Sequence, residues 1–248
     1  MATRVSTHEP PTSSRQTMAS ILVGRLKVDL LSGKLEPGTR LTLKDLAGRY
    51  EAGTIPLREA LSRLSTSGFI TGEDQKGFKV AELSAEEVHD IHKLRAELEC
   101  LAIRESIQSG TSEWEGELIS AHHMLARRQA DLKGQPLAND PEWEDLHCRF
   151  HLRLVSACHS KWLMRFIKTL IDHSSRYRQI TSLMIPATTV GPKIAAEHEA
   201  IMNAALQRDT DLACALLTGH YRKTAQTAAD IINGARGTHS DVMTGRGR

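Results

Sequence analysis

Two histidines one helical turn apart, His147 and His151, sit in the stretch Glu142 to Ser160, EWEDLHCRFHLRLVSACHS, inside an otherwise apolar stripe. Projected at the helical period, Trp143, Leu146, His147, Phe150, His151, Leu154, Ala157 and Cys158 share one broad face, while Glu142, Glu144, Arg149 and Arg153 fall largely elsewhere. Both imidazoles therefore point inward, onto the floor of a buried ligand pocket. A polar group left unpaired there costs about 1–3 kcal/mol, so each ring needs a hydrogen-bond partner or a metal ion. Two later stripes repeat the pattern: Ile194, His198, Ile201 and Ala205, then Ala213, Leu216, Leu217, His220 and Thr224. Zinc and nickel accept imidazole nitrogen readily, and a close pair joined by distant single ligands is a normal way to build such a site. One buried histidine alone reads better as a satisfied core residue. Four on interior stripes of three helices read together as a divalent-metal site, zinc or nickel, held by His147, His151, His198 and His220. Histidines that satisfy one another without a metal are the alternative.

The composition says what kind of chain must position these rings. Of 248 residues, 40% are hydrophobic and 25% charged, an ordinary soluble balance with ample material for a core. Only 4% are aromatic, and Leu, Ala and Ile recur at helical spacing, so the fold class is mainly α. A net charge of +2 excludes a chain that binds polyanions over its whole surface, and any nucleic-acid surface must be local. Cys100, Cys148, Cys158 and Cys214 are scattered and form no CxxC pair, which suggests reduced thiols in a cytoplasmic protein. There is neither an apolar signal core nor a run long enough to span a bilayer, so neither export nor a membrane partner is expected.

Taken in order, residues 1–15 are rich in Thr, Ser and Pro without periodicity and read as a disordered arm. A helix is expected over Met18–Leu31, where Ile21, Leu22, Val23, Leu26, Val28, Leu30 and Leu31 are apolar; Ser32-Gly33 and Glu36-Pro37-Gly38 stop it. Thr42 and Asp45 resemble a capping box that opens a short helix ending near Ala52-Gly53. A third helix starts near Thr54, tolerates Pro56 in its first turn and runs to Ser67-Gly68. Two short helices across a tight turn read as a helix-turn-helix. Phe69-Ile70-Thr71 and Phe78-Lys79-Val80, with a polar turn from Gly72 to Gly77, read as a two-stranded wing.

The segment from Ile21 to Leu83 resembles the winged helix of GntR regulators. The resemblance is carried by Pro56-Leu57-Arg58-Glu59-Ala60-Leu61, Arg63-Leu64, Gly68-Phe69-Ile70 and Lys76-Gly77-Phe78-Lys79-Val80. Just before the proline the family usually has Ser or Thr, Arg, Thr, and this chain has Gly53, Thr54 and Ile55, which bears on the operator it reads. The resemblance implies a double-stranded DNA operator as partner and Lys44, Arg49, Gly53, Thr54, Ile55, Arg58, Lys76 and Gly77 as the DNA-binding residues. From Thr17 to Val80 there are ten basic residues against seven acidic ones, a balance of only +3, so placement rather than total charge must make the surface.

After Leu83 six long helices are expected, over about 85–109, 112–132, 141–158, 160–184, 192–207 and 210–233, with Ser84/Glu87 and Ser112/Glu115 as capping boxes. Gly134-Gln135-Pro136 and Asp140-Pro141 bracket a loop, and the last fifteen residues read as a flexible tail. The domains are thus a winged helix over 16–83 and a six-helix antiparallel bundle over 84–233. This bundle resembles the effector-binding FCD domain of the FadR branch of GntR regulators, whose pocket often holds a divalent metal. Arg95 with Leu98-Glu99, Phe150-His151, Glu197-His198 and His220 match its motifs. His147 stands where relatives more often have a carboxylate or amide, a change that favours borderline metals over Mg²⁺ or Ca²⁺. The resemblance implies a homodimer that releases its operator when a small mono- or dicarboxylic acid enters the pocket, clamped by Arg95 with Arg176, Arg178 and Tyr177 as further contacts. Pairing of Arg95 with Glu99 at i+4, and interhelical salt bridges for Arg176 and Arg178, are the alternatives to that clamp. A His-metal hydrolase using Glu197 or Glu199 is the competing class, but the chain has no HExxH and no Ser or Cys nucleophile motif, and a winged helix argues against an enzyme.

Overall fold

The computed structural model describes residues 16–73, 77–133, 135, 137, 140–182 and 191–244. Contacts divide the chain into two compact units, one of residues up to Val28 with Arg40–Lys79 and one of Asp29–Thr39 with Val80–Arg248. The expected arm, Lys76 in the wing turn, Gly134 and Pro136 in the loop, and Pro186 lie outside the described residues.

The first unit is built on α1 (Met18–Leu31), α2 (Leu43–Tyr50) and α3 (Thr54–Thr66), with β1 (Arg40–Leu41), β2 (Ile70–Glu73) and β3 (Gly77–Val80). In α1 the stripe that goes inward is Leu22, Leu26 and Leu30, whereas Ile21 and Val28 stay exposed. Thr42 caps α2 as expected, its hydroxyl accepting from the Asp45 N–H at 3.1 Å and donating to the Asp45 carboxylate at 2.6 Å. The end of α2 differs from expectation. Glu51, not a glycine, takes the left-handed conformation at φ 51°, and Gly53 serves as the N-cap of α3. Leu46, Tyr50, Leu57, Ala60, Leu61, Leu64, Phe69 and Ile70 are buried, which leaves the polar faces of both helices outward. The sheet is three-stranded, in the order β1-β3-β2, where a two-stranded wing was expected. The missed strand β1 is only two residues long, Arg40 pairing with Lys79 and Leu41 with Phe78, too short for an alternation signal.

The second unit holds α4 (Ala85–Ser109), α5 (Ser112–Asp131), α6 (Pro141–Leu154), α7 (Lys161–Ser182), α8 (Gly191–Leu206) and α9 (Thr210–Thr244). Ser84 caps α4, accepting from the Glu87 N–H at 3.2 Å. The return half of that box is relayed: the Tyr177 hydroxyl accepts the Ser84 N–H at 3.0 Å and donates to the Glu87 carboxylate. Ser112 does not cap α5; Thr111 is the N-cap and its side chain makes no capping bond, while Glu115 pairs with Arg208. α6 stops at Leu154, short of the expected 158, because Val155 and Ser156 fold into a turn whose N–H groups bond back to Arg153. α9 continues through Gly234 and Gly237 to Thr244, past the expected start of the tail. A glycine weakens a helix by about 1 kcal/mol but does not by itself end one. The core runs through Ile103, Leu118, Trp143, Phe150, Leu154, Ile167, Ile201, Leu217 and Tyr221, so α4, α6, α7, α8 and α9 converge where the histidines point.

Candidate metal site and DNA-reading helix

His147 and His151 come from α6, His198 from α8 and His220 from α9, and all four are buried, with 1–4% of their surface exposed. One nitrogen from each lies within 4.8 Å of the others. A metal about 2.0–2.1 Å from each ligand nitrogen would place opposed ligands no more than about 4.2 Å apart, so small side-chain shifts close the set. The four residues expected from sequence are brought together. His147 stacks on Trp143, ring centroids 4.8 Å apart and planes at 14°, and its Nε2 is 3.2 Å from Nε2 of His151.

Hydrogen bonds fix which nitrogen two of these rings present. Tyr221 is the hub: its oxygen accepts from Arg95 at 2.8 Å and its proton goes to Glu99 at 2.5 Å. Nδ1 of His151, 2.9 Å from the same oxygen, must therefore be the donor in that contact. That places the lone pair of His151 on Nε2, facing the cluster. Nδ1 of His220 lies 2.8 Å from Glu197, a carboxylate that only accepts, so His220 also turns Nε2 inward as an acceptor. A carboxylate behind a ligating imidazole is the arrangement that sets tautomer and orientation in metal sites. The other two rings are short of partners: Nδ1 of His147 and both ring nitrogens of His198 are buried without a hydrogen bond.

Burial holds His147, His151 and His198 well below the usual histidine range, and the Arg178 charge beside His147 and the Arg95 charge beside His151 add to it. Burial also lowers His220, against the pull of Glu197. The cluster is therefore a set of neutral imidazoles, the form that binds metal. Glu197 is depressed to about 2 by its hydrogen bond to His220 and also binds Lys223 at 2.6 Å.

The arginines do not form an open clamp. Arg95 is fully enclosed and its fork is filled, Nε to Glu99 at 2.8 Å, one terminal nitrogen to Ser174 at 2.8 Å and the other to Tyr221. Arg178 is likewise engaged, with Glu144 through Nε at 3.0 Å and through a second bond, and with Ser175. For Arg95 and Arg178 the reason is energetic: a buried guanidinium left open for a ligand would carry a large uncompensated charge. Arg176 and Tyr177 face elsewhere, Arg176 reaching the Ala81 carbonyl and Tyr177 packing among Ala85, Val88, Ile91 and Ala228. The supporting residues Glu99, Tyr221, Ser174, His92 and Glu144 were not anticipated as site residues. His92 donates Nδ1 to the Val88 carbonyl at 2.8 Å, so its Nε2 accepts from Ser174 at 3.1 Å. Glu99 had a signal in its i+4 spacing from Arg95, and Tyr221 in its place beside His220; Ser174 had none.

In the first unit Lys44 and Arg49 on α2 are exposed, as are Gly53, Thr54, Ile55 and Arg58 on α3 and Gly77 at the start of β3. Gly77 sits at φ +94°, where a side chain would be strained, and ordinary contact distance, 3.7 Å, separates a built Cβ from the Leu41 carbonyl. Gly53 has no side chain with which to cap α3, so the first N–H groups of that helix are left to an outside acceptor. Arg58 and Lys44 make no ion pair or hydrogen bond among the described residues.

Comparison with known proteins agrees with this anatomy. Residues 19–80 match the bacterial regulatory proteins of the gntR family, and residues 90–223 match the FCD domain. The chain is 34% identical over 215 residues to the HTH-type transcriptional regulator BphR of Paraburkholderia xenovorans, covering 86% of each chain. The chain is a GntR-family transcriptional regulator with an FCD domain. Its resemblance to this family, read from Pro56–Leu61 and the histidine motifs, holds, as does the reading that it is not an enzyme. This regulator is also 32% identical over 199 residues to the HTH-type transcriptional repressor GlaR of Escherichia coli, covering 79% of this chain and 88% of that one. In fold the regulator is similar to E. coli McbR/YncC, with TM-score 0.70 at 22% identity over 90% of this chain and 100% of that one. No helix among the described residues is long and apolar enough to cross a membrane.

Proposed function

We propose that this regulator is a repressor that leaves an inverted-repeat operator when a small carboxylic acid binds a metal-containing pocket in its FCD domain. The observation that carries the reading is the neutral four-histidine cluster with unpaired buried nitrogens on His147 and His198. Mutual hydrogen bonding of the histidines, favoured by the His147–His151 contact, would leave those three nitrogens unsatisfied. A divalent ion held by His147, His151, His198 and His220 would take one nitrogen of each ring and so remove part of that cost. All-nitrogen donors favour zinc or nickel. When bound, such an ion would supply a Lewis-acidic anchor for an effector carboxylate.

The chain's own residues account for the rest. Tyr221 and Glu197 hold His151 and His220 with Nε2 inward, and the stacked indole of Trp143 fixes the plane of His147. Arg95–Glu99 and Arg178–Glu144 are internally balanced pairs, and the imidazoles are neutral. Glu197 is shared between His220 and Lys223, so among the described residues no carboxylate of the cluster is left to offset a dication, which leaves that charge for an anionic effector. Arg95 acts through Tyr221 as a positioning residue rather than as the expected clamp.

On DNA, α3 would enter the major groove with Thr54, Ile55 and Arg58 outward, while Lys44 and Arg49 of α2 and the Gly77 end of the wing meet phosphates. Two copies of the chain would place two such helices on half-sites about 34 Å apart. The repressor names of GlaR and of a second E. coli relative, RspR at 23% identity over 209 residues, support the direction of control. The test is a thermal-shift screen of C2 to C6 mono- and dicarboxylates with and without chelator. Stabilisation by some acids that disappears on chelation is expected; stabilisation that survives chelation would refute the metal-dependent pocket.

A further inference from the structure

Ile55 is the most exposed large apolar side chain among the described residues, at 82%. Single exposed apolar residues are common and need no explanation by themselves. Ile55, however, is the second residue of α3, the second helix of the helix-turn-helix, and residues at that end reach base edges in the major groove. Leu57, Ala60, Leu61 and Leu64 form the opposite, buried face, so the register of the helix holds Ile55 outward.

The neighbours narrow what this ridge can recognise. Glu59, one turn on, is paired with Arg63 at 2.5 Å, and that exposed pair would have to open before Glu59 could take a cytosine amino group. Pro56 carries no N–H. What remains at the tip is a stiff β-branched apolar side chain flanked by the Thr54 hydroxyl and followed by Arg58, uncommitted among the described residues. In the major groove the apolar feature of a base edge is the C5 methyl of thymine. Set against a purine edge instead, Ile55 would cover donors and acceptors it cannot satisfy, which costs affinity.

We propose that Ile55 determines operator specificity by packing on the C5 methyl of a thymine in each half-site, with Arg58 reading the neighbouring base pair or its phosphate. The proposal rests on the DNA-reading role given to α3 above and adds the base that its tip selects.

The test begins with the full-length protein selecting duplexes from a random-sequence library. Each thymine of the enriched half-site is then replaced in turn by 2′-deoxyuridine, which removes only the methyl group, and affinity is measured by fluorescence anisotropy. At one position the wild type is expected to weaken about fourfold, the effect of one methyl group's burial. Ile55→Ala, an exposed change that spares the core, is expected to show no loss at that position and to match the wild type at every other. A deoxyuridine penalty equal in both proteins, a penalty in neither, or half-sites without a constant thymine would each overturn the proposal. Failure to enrich any duplex would instead remove the DNA-reading role of α3, and this inference with it.

Discussion

Replacing Tyr221 by Phe removes one oxygen from the centre of the buried network. Three groups lose a partner: a terminal nitrogen of Arg95, Nδ1–H of His151 and one oxygen of Glu99. Each buried group left unpaired costs about 1–3 kcal/mol, but the three share a network and their costs do not add. Arg95 and Glu99 also keep their direct bond through Nε at 2.8 Å, which retains most of the charge pairing. The net loss should be about 2–4 kcal/mol, against about 0.5 kcal/mol or less for an unremarkable surface change. Urea unfolding of metal-stripped protein, followed by far-UV circular dichroism, reads that loss as a lower midpoint at unchanged slope. A second readout separates position from stability. With the Nδ1–H tautomer of His151 no longer enforced, zinc affinity by chelator competition should fall about 10–100-fold. A loss below about 0.5 kcal/mol together with unchanged zinc affinity would refute the reasoning that Tyr221 organises the site.

Other outcomes follow from the same burial and packing. Metal-stripped protein should lose stability as pH falls below about 6.5: unfolded histidines take protons there, while burial holds folded His92 at about 3 and His147, His151 and His198 well below their usual range. The unfolded state then binds more protons, each such histidine adding a slope that approaches about 1.4 kcal/mol per pH unit, and stability should be level above about pH 7; urea midpoints from pH 8 to 5 that do not fall would contradict the neutral, buried cluster. His147→Asp should shift metal preference from zinc toward manganese by adding an oxygen donor, read by competition titration, and an unchanged zinc-to-manganese ratio would place His147 outside the ligand set. Gly110→Ala should destabilise by about 1–3 kcal/mol, because a Cβ there would meet the Trp114 ring at 2.3 Å and the Ser106 carbonyl at 2.6 Å; a midpoint equal to wild type would show that this corner relaxes freely.

How much was legible depended on range. The helices came from local periodicity and caps, so α1, α3 and α4 begin where Met18, Thr54 and Ser84 suggested. The four histidines were legible because each lies on an apolar stripe, and an inward imidazole has few places to go. The fate of the arginines was not legible, since it depends on partners as distant in sequence as Ser174 and Tyr221 from Arg95. Glu144 misled for a related reason: on the helical projection it falls at the polar edge, yet Arg178 of α7 draws it to 6% exposure. Caps completed from afar, such as Tyr177 on Ser84 and Glu87, follow the same rule. Local signals report that a polar group must be satisfied; the tertiary fold decides by what.

Operator release should depend on metal in the histidine cluster, and one titration addresses both. Full-length protein on a fluorescent operator duplex, selected in vitro, is titrated with a carboxylate that stabilises it thermally, first loaded with zinc or nickel and then stripped by chelator. The expected result is a fall in anisotropy for the loaded protein, none for the stripped protein, and none for loaded His151→Ala, whose effector-free operator affinity should stay near that of wild type. Release of the same size from stripped and loaded protein, or a His151→Ala variant that still releases, would contradict it.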